Sequence, residues 1–123
     1  MILLDTNALI WVYKGHRRSA PLARFARRLY VSPATLLEMQ LLTEVGRLRL
    51  RDGASVTQLA EDERWLMDDP PAAAWFERAL ANGWTRDLFD RLLVAHAQLR
   101  GWRLATGDSA IAERLGASGC VEL

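Results

Sequence analysis

Four acidic side chains interrupt apolar patterns in this sequence, and an all-oxygen set of that kind suits a hard cation. Asp5 directly follows Ile2, Leu3 and Leu4, and Asp108 follows "WRLAT" and Gly107. Each comes at or just beyond a segment that reads as a buried strand. Glu38 shares a helical stripe with Ala34, Leu41, Leu42 and Val45, and Asp90 shares one with Leu93, Val94 and Ala97. Both helix acids therefore point inward. Asp5 and Asp108 also precede helices, so an N-cap, worth about 1 kcal/mol, explains either one alone. Capping does not explain Glu38 or Asp90, whose simpler role would be pairing with an arginine such as Arg86 or Arg91. Asp87 reads as the cap of the Asp90 helix.

Two carboxylates about 4 Å apart repel by roughly 4 kcal/mol at an effective dielectric of 20, so four together require a positive partner. With no histidine on either stripe and only one cysteine, Mg²⁺ or Mn²⁺ with water fits best. His96, six positions after Asp90, points away and reads as a packed or surface residue. His16 lies in a Gly-His-Arg turn and reads as a loop residue.

These acids need elements to position them. "ILL" reads as a strand and "NALIWVYK" as a helix closed by Gly15; "SAPLARFARRL" has the spacing of an amphipathic helix. "YVS" is β-prone, and Ser32 with Pro33 opens a helix that Gly46 ends. "RLRLRDG" alternates as a short extended arm. Residues 55–67 and 72–81 read as two helices split by "DDPP", forming a helical hairpin. Thr85 or Asp87 caps a helix running to Gly101, "WRLAT" is a strand, "GDSAIAERLG" opens a further helix, and "CVEL" is a last strand. Alternating strands and helices predict an α/β sandwich on a mostly parallel sheet, with the hairpin as an insertion. Asp5 and Asp108 would then stand on the sheet edge where such folds bind ligands.

The 123 residues, half hydrophobic and a quarter charged, suit one soluble domain spanning 1–123. No run approaches a membrane span or a signal peptide, so a cytoplasmic protein without membrane contact is expected. The lone Cys120 reads as a small core residue. Net charge is only +1, but residues 1–51 carry +6 and residues 52–123 carry −5. The basic part suits phosphates, an acidic protein partner or plain solvation.

Taken in order, "LLDTNALI", "VSPATLLEMQLL", "DLFDRLLVAHA" and "LATGD" resemble the four signature stretches of PIN-domain ribonucleases, most closely the VapC-type toxins of bacterial toxin–antitoxin pairs. The likeness spans essentially the whole chain and implies a PIN-like three-layer sandwich. It implies an Mg²⁺- or Mn²⁺-dependent endoribonuclease, with Asp5, Glu38, Asp90 and Asp108 as the catalytic acids. Asp5 and Asp90 would be direct metal ligands, while Glu38 and Asp108 would serve a second ion or act through water. Asn7 and Thr106 would support them. Arg17, Arg18, Arg86 and Arg91 are candidates for guiding RNA phosphates. The resemblance also implies a cognate antitoxin and a homodimer, for which Trp65, Leu66, Trp75 and Phe76 are candidate surface residues. His96, Leu88 and Gly107 depart from the family pattern, and Gly107 bears on how firmly Asp108 is placed. The rival reading is a catalytically silent PIN-like module that only binds RNA or protein. A phosphatase or receiver-like protein would need a lysine later in the chain than Lys14.

Overall fold

Apolar runs from opposite ends of the chain become neighbours in a single sheet. In the computed structural model, which describes residues 1–123, β1 (Ile2–Leu4), β2 (Leu29–Val31), β3 (Leu66–Met67), β4 (Arg103–Thr106) and β5 (Cys120–Glu122) lie in the order β3-β2-β1-β4-β5. Every pairing is parallel, with Leu4 opposite Val31 on one side and Ala105 on the other. Parallel sheets are covered on both faces, which is why β1 is an unbroken apolar run. Ile2 and Leu4 point into one core, with Leu9, Val31, Met39 and Trp65, while Leu3 points into the other, with Trp75, Leu93, Val94 and Leu104.

The helices are α1 (Thr6–Lys14), α2 (Pro33–Glu44), α3 (Val56–Ala60), α4 (Ala72–Leu80), α5 (Leu88–Arg100) and α6 (Ser109–Leu115). Asp5, Ser32, Ser55, Asp87 and Asp108 each accept a first-turn backbone N–H as side-chain caps. Gly15 and Gly101 end α1 and α5 at φ 66° and 69°, where a Cβ would be strained. No helix is long and apolar enough to cross a membrane.

Three segments differ from their sequence patterns. "SAPLARFARRL" forms 3-10 turns over Arg17–Phe25, capped by His16 Nδ1, and only Leu22 is buried there. The expected extended arm forms no strand; Leu48 alone is buried and a 3-10 turn follows at Arg51–Gly53. The helix expected over 55–67 stops at Ala60, and Leu66–Met67 joins the sheet as an edge strand. Both expected helices exist, but the chain between them pairs with β2, and α4 packs on α5. Trp65 and Trp75 are core residues whose indole N–H groups donate to Leu59 O at 3.2 Å and Leu92 O at 2.7 Å. Of the four proposed surface residues, only Leu66 and Phe76 are exposed. Cys120 is buried, as expected.

Candidate active site

The chain runs from β1 outward through β2 to β3, then crosses back to β4 on the far side of β1. The carboxyl ends of β1 and β4 therefore flank the point where the winding reverses, the crevice in which open α/β sheets hold ligands. Asp5 leaves β1 there, and Asp108 follows β4 by two residues.

A cavity of about 400 Å³ opens at this crevice, lined by Asp5, Thr6, Asn7, Glu38 and Asp90 among others. Asp108 is exposed beside it, near enough for its charge to act on Asp5 and Asp90. A larger cavity of about 610 Å³ lies between α1 and the 3-10 turns, mostly apolar and away from these acids.

Each acid is held by its own local structure. Asp5 Oδ1 accepts the Ala8 N–H at 2.7 Å. Asp108 Oδ1 accepts those of Ala110 and Ile111 at 2.9 and 3.1 Å. Capping and site membership thus coexist, because a cap engages only part of a carboxylate. Thr106, fully buried, accepts the Asp108 N–H at 3.0 Å and lies close enough to Asp5 for its hydroxyl to favour that carboxylate's charged form, so one side chain serves both strand ends. The Thr6 hydroxyl donates to Glu38 and meets the Thr35 hydroxyl at 3.3 Å. Asp90 sits in the first turn of α5 with its backbone N–H bonded to Asp87 Oδ1 at 3.1 Å, and its carboxyl has no hydrogen-bond or ion-pair partner.

The inward stripe containing Asp90 is as expected, with Leu93, Val94 and Ala97 buried. The α2 stripe differs. That helix packs through Ala34, Thr35 and Met39, leaving Leu41 and Val45 at 45% and 58% exposure. Glu38 lies half-buried at the border of the packed face, aimed into the cavity.

Burial dominates the electrostatics. It raises Asp5 above the usual carboxylate range, opposed by the Thr106 and Ala8 hydrogen bonds. It raises Glu38 against the Thr6 bond, with Asp87 and Asp5 adding repulsion. Asp90, half-buried and unpartnered, is pushed up to about 7, first by burial and then by the charges of Asp87, Glu38, Asp108 and Asp5.

As the side chains lie, no group of three or more His, Cys, Asp or Glu is gathered closely enough to hold a metal ion. Their hydrogen bonds explain this spread: Asp5 and Asp108 are turned to helix N–H groups and Glu38 to Thr6, as uncompensated like charges favour. The donor set nevertheless fits a hard divalent cation. Carboxylate, hydroxyl and amide oxygens face the cavity without a thiol or imidazole, and Asp90 has no competing partner.

The four arginines proposed as phosphate guides do not line this cavity. Arg18 donates to Leu123 O at 3.0 Å and Gly107 O at 3.4 Å while covering Trp11 at 4.1 Å. Arg91 donates to Ala79 O and Leu80 O at the end of α4, both at 3.3 Å. Arg17 and Arg86 are exposed. Gly107 is closely packed, since a Cβ there would meet the Trp11 ring and come within 2.8 Å of Arg18. The missing side chain is replaced by the Trp11–Arg18 stack, which covers the turn before Asp108. Two cations that sequence reasoning passed over, Lys14 and Arg47, do line the cavity. Lys14 is seven residues beyond Asn7 and so shares its helix face, whereas nothing in the local pattern signals Arg47.

A five-stranded parallel sheet with helices on both faces and carboxylates at its switch point defines an α/β protein with a candidate ligand site at its strand ends. The PIN domain family matches residues 2–115, and the chain belongs to that family. No curated protein matches it in sequence. Among solved structures, a toxin–antitoxin complex from Klebsiella pneumoniae aligns over 100% of both chains at 21% identity, with a TM-score of 0.68. VapBC2 from Rickettsia felis, bound to a DNA fragment from its promoter, aligns over 99% of this chain and 98% of that chain at 17% identity, with a TM-score of 0.68. PAE2754 from Pyrobaculum aerophilum aligns over 98% and 87% at 21% identity, with a TM-score of 0.63. These likenesses establish the PIN-like sandwich anticipated from the sequence.

Proposed function

We propose that this PIN-domain protein is a divalent-metal-dependent endoribonuclease and the toxin of a toxin–antitoxin pair. The observation carrying this reading is the convergence of Asp5, Glu38 and Asp90 in one cavity, burial-raised and paired with no cation. Asp5 and Asp90 would hold Mg²⁺ or Mn²⁺ directly, with Glu38 and Asp108 serving a second ion or water. A divalent ion there supplies Lewis-acid polarisation of a phosphodiester and activates water for in-line attack on phosphorus. Thr106 holds the Asp108 backbone beside Asp5, and Thr6 fixes Glu38. Glu38 Oε1 is engaged with Thr6, which leaves Oε2 to orient the attacking water. Asp90 must lose its proton to act as a ligand, so loading improves as pH rises through about 7. Asn7, exposed on the first turn of α1 and lining the cavity, would support the acids.

A cognate antitoxin, a homodimer and a cytoplasmic location belong to the same reading. The known toxin–antitoxin structures sharing this fold support the first, and exposed Leu37 and Leu41 on α2, with Val45 just after it, offer surface for a protein partner.

The test is cleavage of a fluorophore-labelled RNA with Mg²⁺ or Mn²⁺, against EDTA. Asp5→Asn and Asp90→Asn are expected to cut the rate by about a thousandfold or more, with unchanged circular dichroism. Cleavage persisting in EDTA and in both variants would overturn the assignment; a folded wild type that binds RNA without cutting it would favour the silent module.

A further inference from the structure

The cavity holding the acids also has a basic wall. Lys14 is the last residue of α1, on the face that carries Asn7 and Ile10 into the cavity, so its Cα lies about 12 Å along the helix from Thr6. Arg47 comes from another element. Gly46, at φ 77°, turns the chain after α2, the Arg47 N–H bonds Leu42 O at 2.8 Å, and the next residue, Leu48, is buried. Two unrelated turns therefore bring cations to the same cavity.

Neither cation is used by the fold. The three ion pairs of the chain are Arg64–Asp62, His96–Asp68 and Arg100–Asp68, and neither Lys14 nor Arg47 side chain makes a hydrogen bond within the protein. Both side chains are exposed beside three carboxylates yet paired with none of them. A lysine in the last turn of a helix gains a few tenths of a kcal/mol from the dipole, but that does not account for Arg47. The cavity is thus polarised, with carboxylates at the strand ends and cations a few turns away. An RNA strand approaching with one phosphate toward the acids is repelled there until a cation is held, so attraction must come from elsewhere on its path.

We propose that Lys14 and Arg47 form a phosphate-binding subsite that holds the backbone of single-stranded RNA next to, and not at, the phosphate to be cut. This rests on the nuclease reading above and adds to it a substrate-positioning role for two residues outside the acid set. It predicts that these two cations, more than Arg18 or Arg91, set RNA affinity, because the latter two are engaged with backbone carbonyls.

The experiment is fluorescence anisotropy of a labelled single-stranded oligoribonucleotide in EDTA, titrated at several salt concentrations, so binding is read without cleavage. Each of Lys14→Ala and Arg47→Ala is expected to reduce the log–log salt slope by about 0.7, about a fivefold loss of affinity at 0.1 M salt. Lys14→Arg should restore the slope. Arg114→Ala, on α6 over Trp84, should leave it unchanged. An unchanged slope in both alanine variants, or an equal drop in Arg114→Ala, overturns the proposal. The two readings fail separately. A wild type that never cleaves with metal while the slope drops as expected loses the nuclease and keeps the subsite; one that cleaves with no slope change loses only the subsite.

Discussion

One helix, α5, serves two acidic regions that the fold treats in opposite ways. Its first turn carries Asp90 into the cavity, where burial and neighbouring acids push the carboxyl up to about 7 and no donor reaches it. Its last two turns carry His96 and Arg100 to Asp68, just after β3, whose carboxylate takes His96 Nε2 at 2.6 Å and Arg100 Nε at 2.8 Å. Burial also acts to raise Asp68, but the Arg100 and His96 bonds outweigh it and hold the carboxyl below its usual range. His96 is fully buried, with desolvation lowering it more than Asp68 raises it; its Nε2 meets Asp68, and Nδ1 has no partner. Opposite partnering separates a carboxylate that ties an edge strand to a helix from one that no donor reaches.

That contrast can be broken in three places. The largest effect is expected at the satisfied acid: Asp68→Ala leaves Arg100 and His96 without their acceptor and should cost about 2–3 kcal/mol in urea unfolding, with Mn²⁺ affinity unchanged. A matching loss of Mn²⁺ affinity would show that the two regions are coupled. Next is the ligand's own pH dependence. Calorimetric Mn²⁺ affinity should fall as pH drops from 8 to 6, approaching tenfold per unit below about 7, because Asp90 holds a proton there. A flat profile would place the ion elsewhere. The smallest effect has the opposite sign to the first. A carboxyl raised in the folded state favours folding below its unfolded pKa and loses that contribution as pH rises through about 7. At pH 8 without metal, Asp90→Asn should therefore stabilise the protein, by about 1 kcal/mol after discounting for its half-exposed position, or about 4 °C in melting temperature. The gain should vanish near pH 4. Destabilisation at pH 8 would mean that Asp90 has a structural partner.

Local signals carried far along this chain. Caps and terminators were legible at Asp5, Gly15, Ser32, Asp87, Gly101 and Asp108, because capping depends on residues only two or three apart. The apolar run of β1 was legible because a doubly buried strand must be continuous, and β-prone residues marked β2 and β4 to within one residue of their bounds. β3 was not: Leu66 and Met67 are two exposed residues on an edge, and only pairing with Tyr30 and Val31 makes them a strand. The 3-10 turns at Arg17–Phe25 likewise have helical spacing in sequence without a face to bury.

The sequence by itself determined the acids, the helices that carry Glu38 and Asp90, and the strand ends that carry Asp5 and Asp108, since each follows from periodicity and capping within one segment. Tertiary structure alone decided which side chains share the crevice. It brought Lys14 and Arg47 to the cavity wall, engaged Arg18 and Arg91 with backbone carbonyls, gave Asp68 two partners and left Asp90 none. Those outcomes depend on contacts between residues tens of positions apart, and desolvation and charge act through distance in space, which one-dimensional spacing does not encode.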